Sequence, residues 1–316
     1  MKYISVILVL IALILTACTR EEDPPENVRG DDVRGGTTKT QDENAPKTIE
    51  SHDLVSLDCM VSTVSMVYDD DTLDCGKFYF SCSLDESSGT VTGSYRFEEH
   101  YDRYPQVEFP FTADKAFLTE LDQIIVDSGI ARWNGRVSVT NGIPDDFGYS
   151  FRAVYASGEK IYCRNNQSTE IPLATIHDLN ALFYEKSGAK AYYDTDEPLS
   201  MYFTFYGGDD YTFTASACKK PDGTYVLEAT ENDGSGKKKF GEKETDKAFM
   251  DKVSAAYEAA VAGGSQGTSS GNAKGSIELN LKFGKKEQSL RSDERSGAGY
   301  RETLEGIRDL ILEEYN

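Results

Sequence analysis

Two stretches of this sequence are near-copies of one another. Thr112-Ala113-Asp114-Lys115-Ala116-Phe117-Leu118 returns, one residue shorter, as Thr245-Asp246-Lys247-Ala248-Phe249-Met250. Each reads as the start of a helix, with Thr112 and Thr245 as N-caps and Asp114 and Asp246 in the first turn, where a carboxylate meets the positive end of the helix dipole. Apolar residues then recur every three or four positions, as Phe117, Leu121, Ile124 and Ile125 in one copy and Phe249, Val253, Ala256 and Tyr257 in the other. That spacing puts one stripe of each helix into a core.

The likeness extends beyond the helices. After each comes a strand pattern of alternating apolar residues, Tyr149, Phe151, Ala153 and Tyr155, then Ile277, Leu279, Leu281 and Phe283. At the same fixed offset Glu159 matches Glu287, and a closing helical stripe of Ile176, Leu179, Leu182 and Phe183 matches Leu304, Ile307, Leu310 and Ile311. Ahead of the helices lie runs rich in Val, Thr, Tyr and Phe: Lys77 to Leu84 and Thr90 to Phe97, then Leu199 to Tyr206, Tyr211 to Cys218 and Thr224 to Thr230. Strands, a helix, two strands and a closing helix predict an α+β fold of two tandem repeats, each a mainly antiparallel sheet with two helices. The spans are 54–190 for repeat 1 and 197–316 for repeat 2, with the boundary in Gly188 to Glu197. The Gly/Ser-rich Ala262 to Gly275 reads as a loop corresponding to Asn134 to Asp146.

Composition allows two such cores: the 316 residues are 39% hydrophobic and include 19 Tyr and 15 Phe. The net charge of −21 repels phosphate backbones, so nucleic acid is not an expected partner.

The amino terminus carries a different signal. Lys2 is followed by an apolar run from Ile4 to Leu15, shorter than the roughly 20 residues that cross a bilayer, and this reads as the core of a signal peptide. Leu15-Thr16-Ala17-Cys18 follows at once and resembles the lipobox of bacterial lipoproteins. That resemblance implies cleavage after residue 17, a lipid on Cys18 and a mature protein held at the extracytoplasmic face of the cell membrane. Two acyl chains, at about 0.8 kcal/mol per buried methylene, suffice for stable anchoring. Residues 18–53 have few apolar side chains and read as a disordered tether with a span of about 30 Å.

Chemistry-bearing motifs are sparse. Cys59, Cys75, Cys82, Cys163 and Cys218 are odd in number, with one disulfide feasible among the first three and burial as small apolar residues the expectation for most. His52, His100 and His177 are far apart, and no close Cys pair has zinc spacing, so neither a metal centre nor a resident cofactor is expected. Asp69, Asp71 and Asp74, and separately Asp194, Asp196 and Glu197, are oxygen-rich runs that could meet calcium, although a solvated turn is the simpler reading. Ser265 sits in Gly263-Gly264-Ser265-Gln266-Gly267, but a nucleophile elbow needs a strand before it and a helix after it, and here a helix precedes and a loop follows. Trp133, the single Trp, either offers a stacking surface to a ligand or anchors the end of the first helix in the core.

Around Ala131-Arg132-Trp133-Asn134-Gly135 and Gly148-Tyr149-Ser150-Phe151, across Phe111 to Gln167, the chain is loosely similar to uncharacterised surface lipoproteins of Gram-positive gut anaerobes. The similarity implies a surface location and no activity. The expected function is a non-enzymatic binding or interaction module for an extracellular protein or glycan. The alternatives are a carboxylate-dependent surface hydrolase acting on glycans and a solute-binding lipoprotein, the last requiring two α/β lobes of alternating strand and helix.

Overall fold

The computed structural model describes residues 36–64, 75–99, 106–207, 210–263, 275–284, 286–292, 296 and 298–316. The expected signal peptide, Cys18, Asp69, Asp71, Asp74 and Ser265 lie outside these residues.

Two sheets account for the described strands. The first half comprises β1 (Thr37–Gln41), β2 (Leu54–Ser62), β3 (Gly76–Asp85), β4 (Thr90–Glu99), β5 (Glu108–Ala113), α1 (Lys115–Ser128), a 3-10 turn (Ile130–Trp133), β6 (Arg136–Thr140), β7 (Tyr149–Tyr155), β8 (Lys160–Asn165), α2 (Leu173–Lys186) and α3 (Ala189–Tyr193). The second comprises β9 (Pro198–Tyr206), β10 (Tyr211–Lys219), β11 (Tyr225–Asp233), β12 (Lys237–Thr245), α4 (Lys247–Gly263), β13 (Ile277–Phe283), β14 (Lys286–Ser292) and α5 (Ala298–Glu314). The strand orders are β1-β6-β8-β7-β2-β3-β4-β5 and β12-β11-β10-β9-β13-β14. Reversed, the second follows the same path as β8-β7-β2-β3-β4-β5: a meander of four strands, a helix, then a hairpin that returns beside the first strand. Pairing is antiparallel apart from the short parallel contact of β6 with β8. The class is α+β, as the sequence pattern predicts.

Alternation along the strands builds both cores. Cys59 in β2 lies opposite Phe80 on one side and Phe151 on the other, and all three are buried. In the second sheet Phe203 lies between Ala215 and Leu279, again all buried. The helix stripes close these faces. Phe117, Leu121 and Ile125 of α1 are buried with Ile176, Leu179 and Phe183 of α2, while Phe249 and Val253 of α4 meet Leu304, Ile307 and Ile311 of α5. Phe183 shows how such a stripe is fixed, with ring centroids of Phe80, Phe111 and Phe117 at 5.2, 5.7 and 5.2 Å. Each buried side chain of this size contributes about 1.5–3 kcal/mol from area alone.

Two expectations need correction. The N-caps are not Thr112 and Thr245, because β5 continues to Ala113 and β12 to Thr245. Asp114 caps α1 by accepting the Ala116 N–H at 3.0 Å, and Asp246 accepts the Phe249 N–H at 3.1 Å. Carboxylates thus occupy the caps themselves, satisfying amides that the first helical turn leaves free.

Residues 36–53, expected to be disordered, are held against the first half. Thr37–Gln41 pairs along its whole length with β6, and the stretch after it is tied down at several points, among them Asn134 and Glu159. The Asn134 side chain donates to the Pro46 and Lys160 carbonyls at 2.9 and 2.8 Å and accepts the Tyr162 N–H at 2.8 Å. The Glu159 carboxylate accepts the N–H groups of Glu50 and Ser51 at 3.1 and 3.0 Å, and these bonds hold its pKa below the usual range. Every side chain of β1 is exposed, so a hydrophobic pattern gives no sign of a strand held by its backbone ladder and by polar side-chain bonds such as Thr37 to Thr140.

Within Gly188 to Glu197, α3 packs with the first half. Ala189 is fully buried in the first core, and Tyr192 and Tyr193 pack against it, so α3 belongs to the first half and the crossing is made by residues 194–197. Among the described residues no helix is long and apolar enough to cross a membrane.

Candidate functional site

Where the halves meet, the chain is pinned on both sides of a groove of about 920 Å³. Gly188, at φ 77°, turns the chain out of α2 and starts α3. Tyr192 of α3 then donates its hydroxyl to the Lys219 carbonyl of β10 at 2.6 Å, and burial raises its pKa. Glu197 accepts from Lys219 Nζ at 2.8 Å, and that hydrogen bond and charge lower the carboxyl pKa. Tyr225 donates to the Pro198 carbonyl at 2.8 Å. Opposite, the β13–β14 turn presses its backbone onto the linker: a Cβ at Gly284 (φ 57°) would lie 2.4 Å from the Tyr193 carbonyl oxygen. Only a glycine fits there, on both steric and conformational grounds.

One wall carries Tyr184, Lys190, Tyr193 and the linker residues Asp194 and Asp196; the other carries Ser254, Tyr257 and Glu258 of α4, with Phe283, Lys286 and Gln288 of the hairpin. Tyr184 and Tyr193 lie nearly parallel, 13° apart with centroids at 6.2 Å. Burial raises the Tyr257 pKa. The hydroxyl of Ser254 is buried without a hydrogen-bond partner. The groove thus combines aromatic faces from both halves, acceptors from both halves and cationic or amide donors, which is the composition of a binding site that orients a polar ligand.

The residues singled out in the sequence separate here. Asp194 and Asp196 line the groove, whereas Glu197 is committed to Lys219. Among the described residues no group of three or more His, Cys, Asp or Glu converges on a metal position. Trp133 lies elsewhere, packed against the first core with the Arg132 and Arg136 guanidiniums 5.3 and 5.0 Å from its ring, and its indole N–H is buried without a partner. Its neighbour Asn134 is the more consequential residue, as the clamp on the amino-terminal segment.

All five described cysteines are free, so the disulfide that the sequence allowed is not formed. Cys59, Cys82, Cys163 and Cys218 are buried, and burial pushes the thiols of Cys82 and Cys163 up to about 12 and that of Cys59 well above its ordinary value. Such thiols are poor nucleophiles. His52 is bonded through Nδ1 to the buried Asp122 carboxylate at 2.9 Å, a second latch on the amino-terminal segment.

A second depression, about 530 Å³, lies on the first sheet. Small residues form it, notably Ser56, Ser81, Thr92 and Gly93, with Asp58 and Arg152 facing each other in register across β2 and β7. It has no aromatic lining and is the poorer candidate.

What the sequence reading missed is the pairing of Tyr184 and Tyr193 with Tyr257, Phe283, Lys286 and Gln288. Phe283 and Tyr257 had been read as stripe residues. Only the packing of the halves makes them neighbours of Asp194 and Asp196. Comparison with protein-family models, with curated proteins and with solved structures finds no match to this chain.

Proposed function

We propose that this chain is a lipid-anchored protein of the extracytoplasmic membrane face whose folded part, built from a duplicated α+β unit, is a non-enzymatic binding module. The observation that carries binding is the junction groove, with aromatic rings, carboxylates and amines contributed from both sides. Duplication is supported by the common strand path and by the burial of Ile176, Leu179 and Phe183 at positions that correspond, at one offset, to the buried Leu304, Ile307 and Ile311. Anchoring is supported by Leu15-Thr16-Ala17-Cys18 directly after the apolar run. Membrane attachment through Cys18 and an acidic surface that disfavours nucleic acid complete the reading.

The anchoring test is Cys18→Ser. The variant leaves the membrane fraction and lacks the diacylglyceryl mass; a variant that stays bound overturns the proposal. Binding is tested by the groove variants described below.

One observation favours a second reading. Carboxylates stand on both walls, Asp194 and Asp196 on the linker and Glu258 on α4, as a carboxylate-dependent glycan hydrolase requires. Under that reading short oligosaccharides are cleaved on incubation, and Glu258→Gln abolishes cleavage. The solute-binding alternative calls for parallel α/β lobes, an order that neither sheet has.

A further inference from the structure

We infer that the junction groove takes an uncharged oligosaccharide. The inference rests on the binding reading above and names its ligand class. Four properties of the groove lead to it.

The first is size. At about 920 Å³ the groove stands at the upper end of small-ligand sites, which leaves room for a chain of several rings. The second is the aromatic lining. Tyr184 and Tyr193 line the groove from the first half and Tyr257 and Phe283 from the second, and an aromatic face packs well against the C–H face of a pyranose ring. A ligand with apolar ring faces and a hydroxyl periphery can use both.

The third is the mixture of polar groups. Carboxylates at Asp194, Asp196 and Glu258 can only accept, while Lys190 and Lys286 can only donate. Sugar hydroxyls do both, so one ligand chemistry satisfies both sets. The fourth is charge. Three carboxylates against two ammonium groups disfavour an anionic ligand, and the net charge of −21 on the whole chain works the same way.

The test uses the purified full chain and isothermal titration with short oligomers of glucose, mannose and N-acetylglucosamine, alongside a sulfated oligosaccharide and an unstructured peptide mixture. At least one neutral oligomer binds and the sulfated one does not. Tyr257→Ala weakens binding by at least about tenfold, the usual scale for an aromatic anchor. Glu258→Gln and Gln288→Ala, both at exposed positions, weaken it while thermal unfolding stays unchanged, so loss of fold is separated from loss of contact. Binding of peptide alone, sensitive to the same variants, overturns the saccharide and leaves the binding module standing. Neutral oligomers that bind with the affinity of the parent chain in all three variants overturn this groove as their site. Silence from every probe overturns both readings.

Discussion

The two sheets part company at one edge. In the first, β8 is followed outward by β6 and then β1; in the second, β14 holds the same place in the strand path and ends the sheet as described. The connection between helix and hairpin makes the difference. Residues 129–148 include the 3-10 turn and β6, whereas the shorter, Gly/Ser-rich 264–276 contributes no described strand. Yet both halves bury most of their helix stripes, as Phe117, Leu121, Ile176 and Phe183 in the first and Phe249, Val253, Leu304 and Ile307 in the second. The added strands are therefore not needed for a core, and their effect is to hold the amino-terminal segment. The edge of β14, which no described strand covers, carries Lys286, Glu287 and Arg291, charges of the kind that discourage pairing with another chain.

This contrast can be broken or sharpened by experiment. The largest effect is expected for Phe183→Ala, which empties a site ringed by three aromatic residues and costs about 3–5 kcal/mol. Ile311→Ala, at the corresponding position, costs about 2–5 kcal/mol. If the two cores are separate units, denaturant unfolding of each variant shifts one transition and spares the other; a single transition shifted equally by both shows that the halves unfold as one.

Asn134→Ala comes next. It strands the Tyr162 N–H and the carbonyls of Pro46 and Lys160, at a cost of about 2–3 kcal/mol. Hydrogen exchange should accelerate across residues 37–53 with no change in the second half. Unaltered protection there would show that the β1–β6 ladder alone retains the segment.

Gly284→Ala is expected to cost about 1–3 kcal/mol, because φ is 57° and the new methyl meets the Tyr193 carbonyl. Its signature is a change at the groove, read as new protease sensitivity at residues 194–197, while each core keeps its own stability.

The smallest effect concerns Glu197 and Lys219. The carboxyl pKa is lowered by Lys219, so the stabilisation is complete above the unfolded carboxyl pKa and is lost as pH falls through the lower, folded value. The pair is partly exposed and screened, so Lys219→Ala costs less than about 1 kcal/mol at neutral pH. The difference in melting temperature between parent and variant should vanish in acid, below the carboxylate range. A constant difference would assign the effect to lost packing of the lysine stem.

The groove is the part of the molecule that pattern reading could not reach. Tyr184 and Tyr257 have helical spacing, Phe283 has strand alternation, and Asp194 and Asp196 look like a solvated turn. Each local signal is correct, and none says that these side chains share a wall, because that depends on how α3 and the Gly284 turn dock. Strands without an apolar face were equally hidden. β1 is Thr-Lys-Thr polar throughout, and β12 reads Lys237-Lys238-Lys239-Phe240, so neither alternates in the way that marks a buried face.

What the amino acids settled by themselves was whatever rests on local periodicity: the helix stripes, the core strands, and an α+β order running through both halves. Burial of a stripe is rewarded wherever the stripe finds an apolar partner, so its spacing survives in the sequence. Tertiary structure alone decided which edge is covered, where the amino-terminal segment is tied, and which side chains face across the junction. These depend on backbone hydrogen bonds and on close approach between distant residues, and neither leaves a pattern in a single stretch of chain.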